Sequence, residues 1–141
     1  MIINSTISDS KIKIENLIKL ILTKYYNHDD ITLNITYNNT MCNHFSTEDI
    51  ELDAYLDKIN DKTYNLILRE NSVLKEVIPH ELVHLHQYEI GDLKVDRNKK
   101  VFIWKGESYD YSTPYRDRPW EKEALKLQRI LWKKFKKQCV Y

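Results

Sequence analysis

Apolar residues near the start of the chain recur three and four apart, at Ile14, Leu17, Ile18, Ile21, Leu22 and Tyr25. This period belongs to one face of an α-helix and predicts a helix over about 8–26, with Asp9 or Ser10 as its cap. The pattern then switches to alternation. In "ITLNITY" (31–37) the residues Ile31, Leu33, Ile35 and Tyr37 share one side, which predicts a half-buried strand. The polar stretch 38–49 reads as a loop. "IELDAYLDKI" and "TYNLILRE", separated by the turn-like "NDK" at 60–62, predict an antiparallel hairpin.

A helical period returns from about 72 to 89, opened by Asn71 or Ser72 and closed near Gly91. Pro79 lacks a backbone donor, so it is expected to kink this helix or to mark its true start just before His80. Beyond Gly91, "LKVD" and "VFIWKG" predict a second small hairpin around "RNKK", and "YDYSTPYRDRP" (109–119) reads as a loop. Pro119 suits the first position of a last helix over 119–138, whose core stripe is Trp120, Ala124, Leu127, Leu131 and Phe135. The order helix, three strands, helix, hairpin, helix predicts an α+β fold with a small antiparallel or mixed sheet.

The chain has 141 residues, which suits one domain spanning 1–141 and leaves little room for a separate recognition domain. Its 22 basic and 21 acidic residues nearly cancel, so no overall charge directs it to nucleic acid or a membrane surface. The basic run "KKFKKQ" (133–138) is expected to be a solvated helix face. No secretory signal or membrane-length apolar run is visible, and a cytoplasmic location is expected. Cys42 and Cys139 form neither a metal pair nor a disulfide framework and read as free thiols.

The chemistry concentrates in "IPHELVHLHQ" (78–87). Residues four apart on a helix turn through about 400°, so His80 and His84 project from one face, about one turn apart. Two neutral imidazoles in this arrangement can reach one Zn²⁺. Glu81 stands about 100° further round than His80. That is too far to share the ion, yet close enough to touch a water on it and act as general base. The flanking Val77, Ile78, Leu82, Val83 and Leu85 would bury the group, and buried ionisable side chains need partners. His86 falls on the opposite face and is expected to support the ligands from behind or to lie at the surface, while His28 and His44 lie in loops and are expected to be structural or exposed. A catalytic zinc site needs a third protein ligand. "RPWEKEALKLQ" (118–128) offers Glu121 and Glu123, and helical geometry does not choose between them.

His-Glu-Leu-Val-His followed on a later helix by "WEKEA" resembles the gluzincin branch of zincin metallopeptidases. It looks especially like the small single-domain members found in phages and bacteria. The likeness covers about residues 50–130. It implies a minimal zincin-like fold, peptide hydrolysis, and Glu121 as the third ligand, with Ala124 allowing close packing on the motif helix. The family often has Asp four residues after that ligand, where this chain has Leu125, so Glu123 stays open as the alternative ligand. An oxyanion donor is expected from Tyr109, Tyr111 or Tyr115, of which Tyr115 lies nearest the last helix.

The expected activity is therefore that of a zinc metallopeptidase acting on a peptide or protein. Its ligands would be His80, His84 and Glu121, with Glu81 and Tyr115 as catalytic groups. The same ligand types would also suit Fe²⁺, but the general base favours Zn²⁺. A second reading is a non-catalytic zinc-binding structural protein, such as a virion component if the chain is phage-encoded. A protease of DNA-bound proteins would be expected to carry a third histidine downstream. No His follows His86, and neither nucleic acid nor membrane is an expected partner.

Overall fold

The computed structural model describes residues 1–6, 12–38, 54–69 and 72–140. The first apolar stripe forms α1 (Ile14–Lys19), which continues through Leu20–Tyr25 as a π-helical turn. There the Thr23 hydroxyl donates to the Lys19 carbonyl, the acceptor that the Thr23 N–H would use in an α-helix. Ile14, Leu17, Ile18, Ile21 and Leu22 are buried, whereas Tyr25 at the end of the stripe is exposed. The expected caps Asp9 and Ser10 lie outside the described residues.

Four strands form a mixed sheet in the order β1-β2-β4-β3: β1 (Ile2–Ser5), β2 (Thr32–Tyr37), β3 (Ala54–Asn60) and β4 (Thr63–Leu68). The expected hairpin is present as antiparallel β3 and β4, with Lys62 in its turn at φ 67°. β1 was not expected. It is four residues long at the sheet's edge, with Ile2 58% exposed and none of its residues buried, so no apolar–polar alternation marks it in "IINS", and its parallel pairing with β2 joins residues some thirty apart. Leu33, Ile35, Leu56, Tyr64, Leu66 and Leu68 line the buried face of the sheet. The other face is polar, and Asn4, Asn34 and Asn65 are linked across three strands by amide hydrogen bonds of 2.9 and 3.1 Å.

α2 (Leu74–Glu89) carries the histidine motif. It starts earlier than Pro79 suggests. Val73 is the cap residue without a side-chain hydrogen bond, and Pro79 lies inside the helix. The missing donor costs one bond to the Lys75 carbonyl, on a residue exposed to water. Gly91 follows at φ 81°, which ends the helix in the left-handed region.

A second, antiparallel sheet follows: β5 (Leu93–Asp96), β6 (Val101–Trp104) and β7 (Glu107–Asp110). The third strand takes Tyr109 and Asp110 out of the expected loop. "ESYD" is almost wholly exposed, so it lacks the alternation that would reveal it. Tyr115–Asp117 form a 3₁₀ turn, and α3 (Pro119–Cys139) opens with proline as expected. Trp120, Ala124, Leu131 and Phe135 are buried, and Leu127 packs partly buried against the main core. The fold is thus α+β. Cys139 is a buried free thiol, and Cys42 lies outside the described residues. No helix among the described residues is long and apolar enough to cross a membrane.

Candidate metal centre

Two anchors bring the start of α3 against the middle of α2. Trp120 is buried with Leu93, Phe102 and Trp104 in a cluster under the small sheet. Arg118 donates to the Thr113 carbonyl at 2.9 Å and the Tyr111 carbonyl at 3.2 Å, with its guanidinium over the Phe102 ring. Ala124, fully buried, lets the two helices approach closely. Glu121, in the first turn of α3, therefore meets the motif face of α2.

His80, His84 and Glu121 converge. His80 Nε2 and His84 Nε2 are 3.2 Å apart. Glu121 Oε1 lies 3.0 Å from the former and 2.6 Å from the latter. A tetrahedron with bonds of about 2.0–2.1 Å has edges of roughly 3.3 Å, so three such atoms could share one small divalent ion.

The hydrogen bonds behind the rings fix which nitrogens carry lone pairs. Gln87 Nε2 donates to the Trp120 carbonyl at 3.1 Å and to Glu123 Oε1 at 3.2 Å. This orients the amide so that Gln87 Oε1 must accept, and His84 Nδ1, 2.8 Å away, donates to it. His80 Nδ1 likewise donates to Gln128 Oε1 at 2.6 Å. With both Nδ1 atoms protonated, the Nε2 lone pairs face each other and a carboxylate. Three acceptors at such distances require a cation between them, either a proton or a metal ion.

The electrostatics agree. Burial would lower the His84 imidazole, but the Glu121 carboxylate outweighs it and raises the pKa to about 9. Burial would raise Glu121, but the two imidazoles hold it well below the usual carboxylate range. In the metal-free protein the required cation is thus a proton on His84 Nε2. An ion bound there would displace it.

Glu81 is set differently. It has a carboxylate oxygen within 4.8 Å of a ring nitrogen on both histidines. Burial raises its pKa, offset in part by His84 and His80. The Tyr115 hydroxyl lies 3.3 Å from His80 Nε2. Burial, then the charges of Glu121 and Glu81, raise its pKa and keep it protonated. The other two tyrosines are elsewhere. Tyr109 packs edge-on against Trp120 and bonds Glu107, and Tyr111 packs on Phe102.

Glu123 does not reach the imidazoles in this arrangement; it accepts from Gln87. His86, expected behind the ligands or at the surface, and His28, expected to be structural or exposed, bond each other at 2.8 Å. His44 lies outside the described residues. Gln87 and Gln128 escaped the sequence reading. Gln87, three residues after His84, could have been found as an i,i+3 partner. Gln128 could not, because its role depends on how α3 docks.

Compared with known proteins, the chain has no match among protein-family models, curated proteins or solved structures.

Proposed function

We propose that this chain is a zinc-dependent peptidase in which His80, His84 and Glu121 hold Zn²⁺ and Glu81 moves the protons. The observation that carries this reading is the convergence of two Nε2 lone pairs and one carboxylate oxygen within 3.2 Å. A bound Zn²⁺ would supply a Lewis acid, bringing the pKa of water from about 15.7 towards 7 and stabilising charge on a substrate carbonyl oxygen.

Glu81 takes a proton from the attacking water and passes it to the leaving amine nitrogen. Its buried setting raises its pKa and suits it to both halves of that task. The neutral Tyr115 hydroxyl donates to the carbonyl oxygen as negative charge develops there. Gln87 and Gln128 hold the imidazoles in the ligating tautomer. β3, the outer strand of its sheet, offers main-chain groups to an extended substrate.

The test joins elemental analysis to peptide cleavage. Glu81→Gln is expected to keep the metal and lower kcat by roughly 10²–10⁴. Turnover at the unmodified rate would exclude this mechanism. A protein fully loaded with zinc that yields no products in a proteome-wide cleavage screen would favour the non-catalytic zinc-binding reading.

A further inference from the structure

Two strand edges face each other across a cleft beside α2. Its volume is about 520 Å³, within the range of ligand-binding clefts. One wall is four successive residues of β3, Leu56 to Ile59; the other includes Leu93, Lys94 and Val95 of β5, with Tyr88 of α2 also lining the space. Successive side chains in a strand point to opposite faces, so such runs line one cleft only through their main-chain edges.

β3 and β5 each end the strand order of their sheet, so neither has a second strand neighbour among the described residues. The ladder fixes which groups point outward. Thr32 N–H donates to the Lys62 carbonyl and Asn38 N–H to the Leu68 carbonyl, which turns the main-chain groups of Tyr64, Leu66 and Leu68 towards β2. Asn65 and Ile67 then bond Asp57 and Tyr55, leaving the N–H and C=O of Leu56 and Lys58 directed away from the sheet, into the cleft. On the other wall Lys105 N–H donates to the Asp92 carbonyl, so Lys94 and Asp96 bond β6. Leu93 and Val95 direct their groups into the same space. Arg97 Nη2 donates to Asp57 Oδ1 at 2.6 Å and ties the two walls together.

Through Tyr88 the cleft adjoins the helix that carries the metal-ligand cluster. Tyr88 follows Glu81 by seven residues, about 700° of turn and roughly 10 Å along the axis, so both lie on one face of α2. We infer that the cleft binds an extended peptide strand that pairs with β3 and β5 at once, joining the two sheets and leading the chain to Glu81. Lys58 and Lys94 contribute positive charge to its walls, while Asp57 is neutralised by Arg97. The preferred strand therefore carries acidic side chains, roughly three residues from the position opposite Glu81 at 3.3 Å per residue. Strand binding needs no hydrolysis; only the location of the cut rests on the peptidase reading.

Alternate residues of an extended peptide send their N–H groups to opposite edges, and this separates two-edge from one-edge binding. Zinc-loaded Glu81→Gln protein would be titrated into a fluorescent peptide of alternating Glu and Val. Two further peptides would carry N-methyl groups at the odd or at the even positions. Pairing with both edges is expected to weaken binding by roughly tenfold in each methylated series. Weakening confined to one series, or absent from both, overturns the inference.

Val95→Pro removes an outward donor that β6 does not use, so it is expected to weaken the unmethylated peptide roughly fivefold and leave the fold intact. Unchanged binding by a folded variant counts against β5. Cleavage by the unmodified protein is scored separately. A peptide that binds in the two-edge manner and is never cut sinks the peptidase reading and keeps this one; a peptide cut with no response to either methylation does the reverse.

Discussion

α2 contributes histidines to two kinds of pair on opposite faces. His80 and His84 point both Nε2 atoms at one carboxylate oxygen, with each Nδ1 held by a glutamine. His86 instead bonds His28 directly at 2.8 Å and stacks on Tyr26 with ring centroids 3.9 Å apart. The second pair is complete in itself, because one ring donates and the other accepts. The first pair is incomplete in itself, because two Nε2 lone pairs and a carboxylate oxygen converge and need an added cation, a proton or a metal ion, between them. Proximity of histidines therefore says little about metal binding. What the far ring nitrogens bond, and whether an anion closes the group, decides it.

The contrast breaks most sharply at the anion. Glu121→Ala or His84→Ala is expected to abolish stoichiometric zinc binding and to lower peptide cleavage by at least roughly 10³. Glu123→Ala should retain the metal, because that carboxylate accepts from Gln87 and does not touch the imidazoles in this structure. Elemental analysis of the three variants beside the unmodified protein reads this directly. Zinc lost with Glu123 and kept without Glu121 would reverse the assignment of the third ligand.

A smaller effect is expected behind the rings. Gln87 is fully buried and holds His84 Nδ1, the Trp120 carbonyl and Glu123 together. Gln87→Leu should lower zinc affinity roughly 10–100-fold, as loss of a partner behind a ligating histidine typically does. It should also cost about 1–3 kcal/mol for the polar groups it strands. His86→Ala, three residues from Val83 on the other face, should cost about 1–2 kcal/mol through the lost stacking and hydrogen bond while leaving affinity unchanged. Chelator competition and urea unfolding on both variants separate a partner of the metal ligands from a partner of the core.

These differences also explain what was legible beforehand. The histidine spacing, the apolar stripe of α3 and the β3–β4 hairpin are local periodicities, and their elements formed much as the residues dictate. Glu121 and Glu123 have similar local surroundings in the chain. Only the anchoring of Trp120 and Arg118 on the small sheet turns one towards His80 and His84 and the other towards Gln87. β1 is specified by its parallel partner, not by its own pattern, and β7 by a hairpin whose outer strand is too exposed to alternate. Gln128 meets His80 across 48 residues of chain. Contacts of that kind are set by docking geometry, which single-chain periodicity does not encode.

The smallest expected effect is also the one in which the two pairs oppose each other. In metal-free protein, His84 is raised to about 9, despite burial, by Glu121 beside it. A raised folded pKa contributes stability that is fully present below the unfolded value of about 6.5 and is lost as pH rises through about 9. His28 and His86 are both lowered, chiefly by burial. The charges around them are Glu89, Lys62 and Asp30 for His28, and Glu123 and Asp92 for His86. A lowered folded pKa contributes stability present above about 6.5 and lost as pH falls through the folded value. Urea midpoints of metal-free protein should therefore fall on both sides of neutrality. His84→Ala should flatten the alkaline limb alone, and His28→Ala should flatten the part of the acid limb nearest neutrality, each by a few tenths molar. Zinc should steepen the contrast, because displacing the His84 proton makes affinity rise with pH up to about 9. An alkaline limb that survives His84→Ala unchanged would mean that the proton is not on His84 Nε2, and would remove the electrostatic ground for a cation between these three side chains.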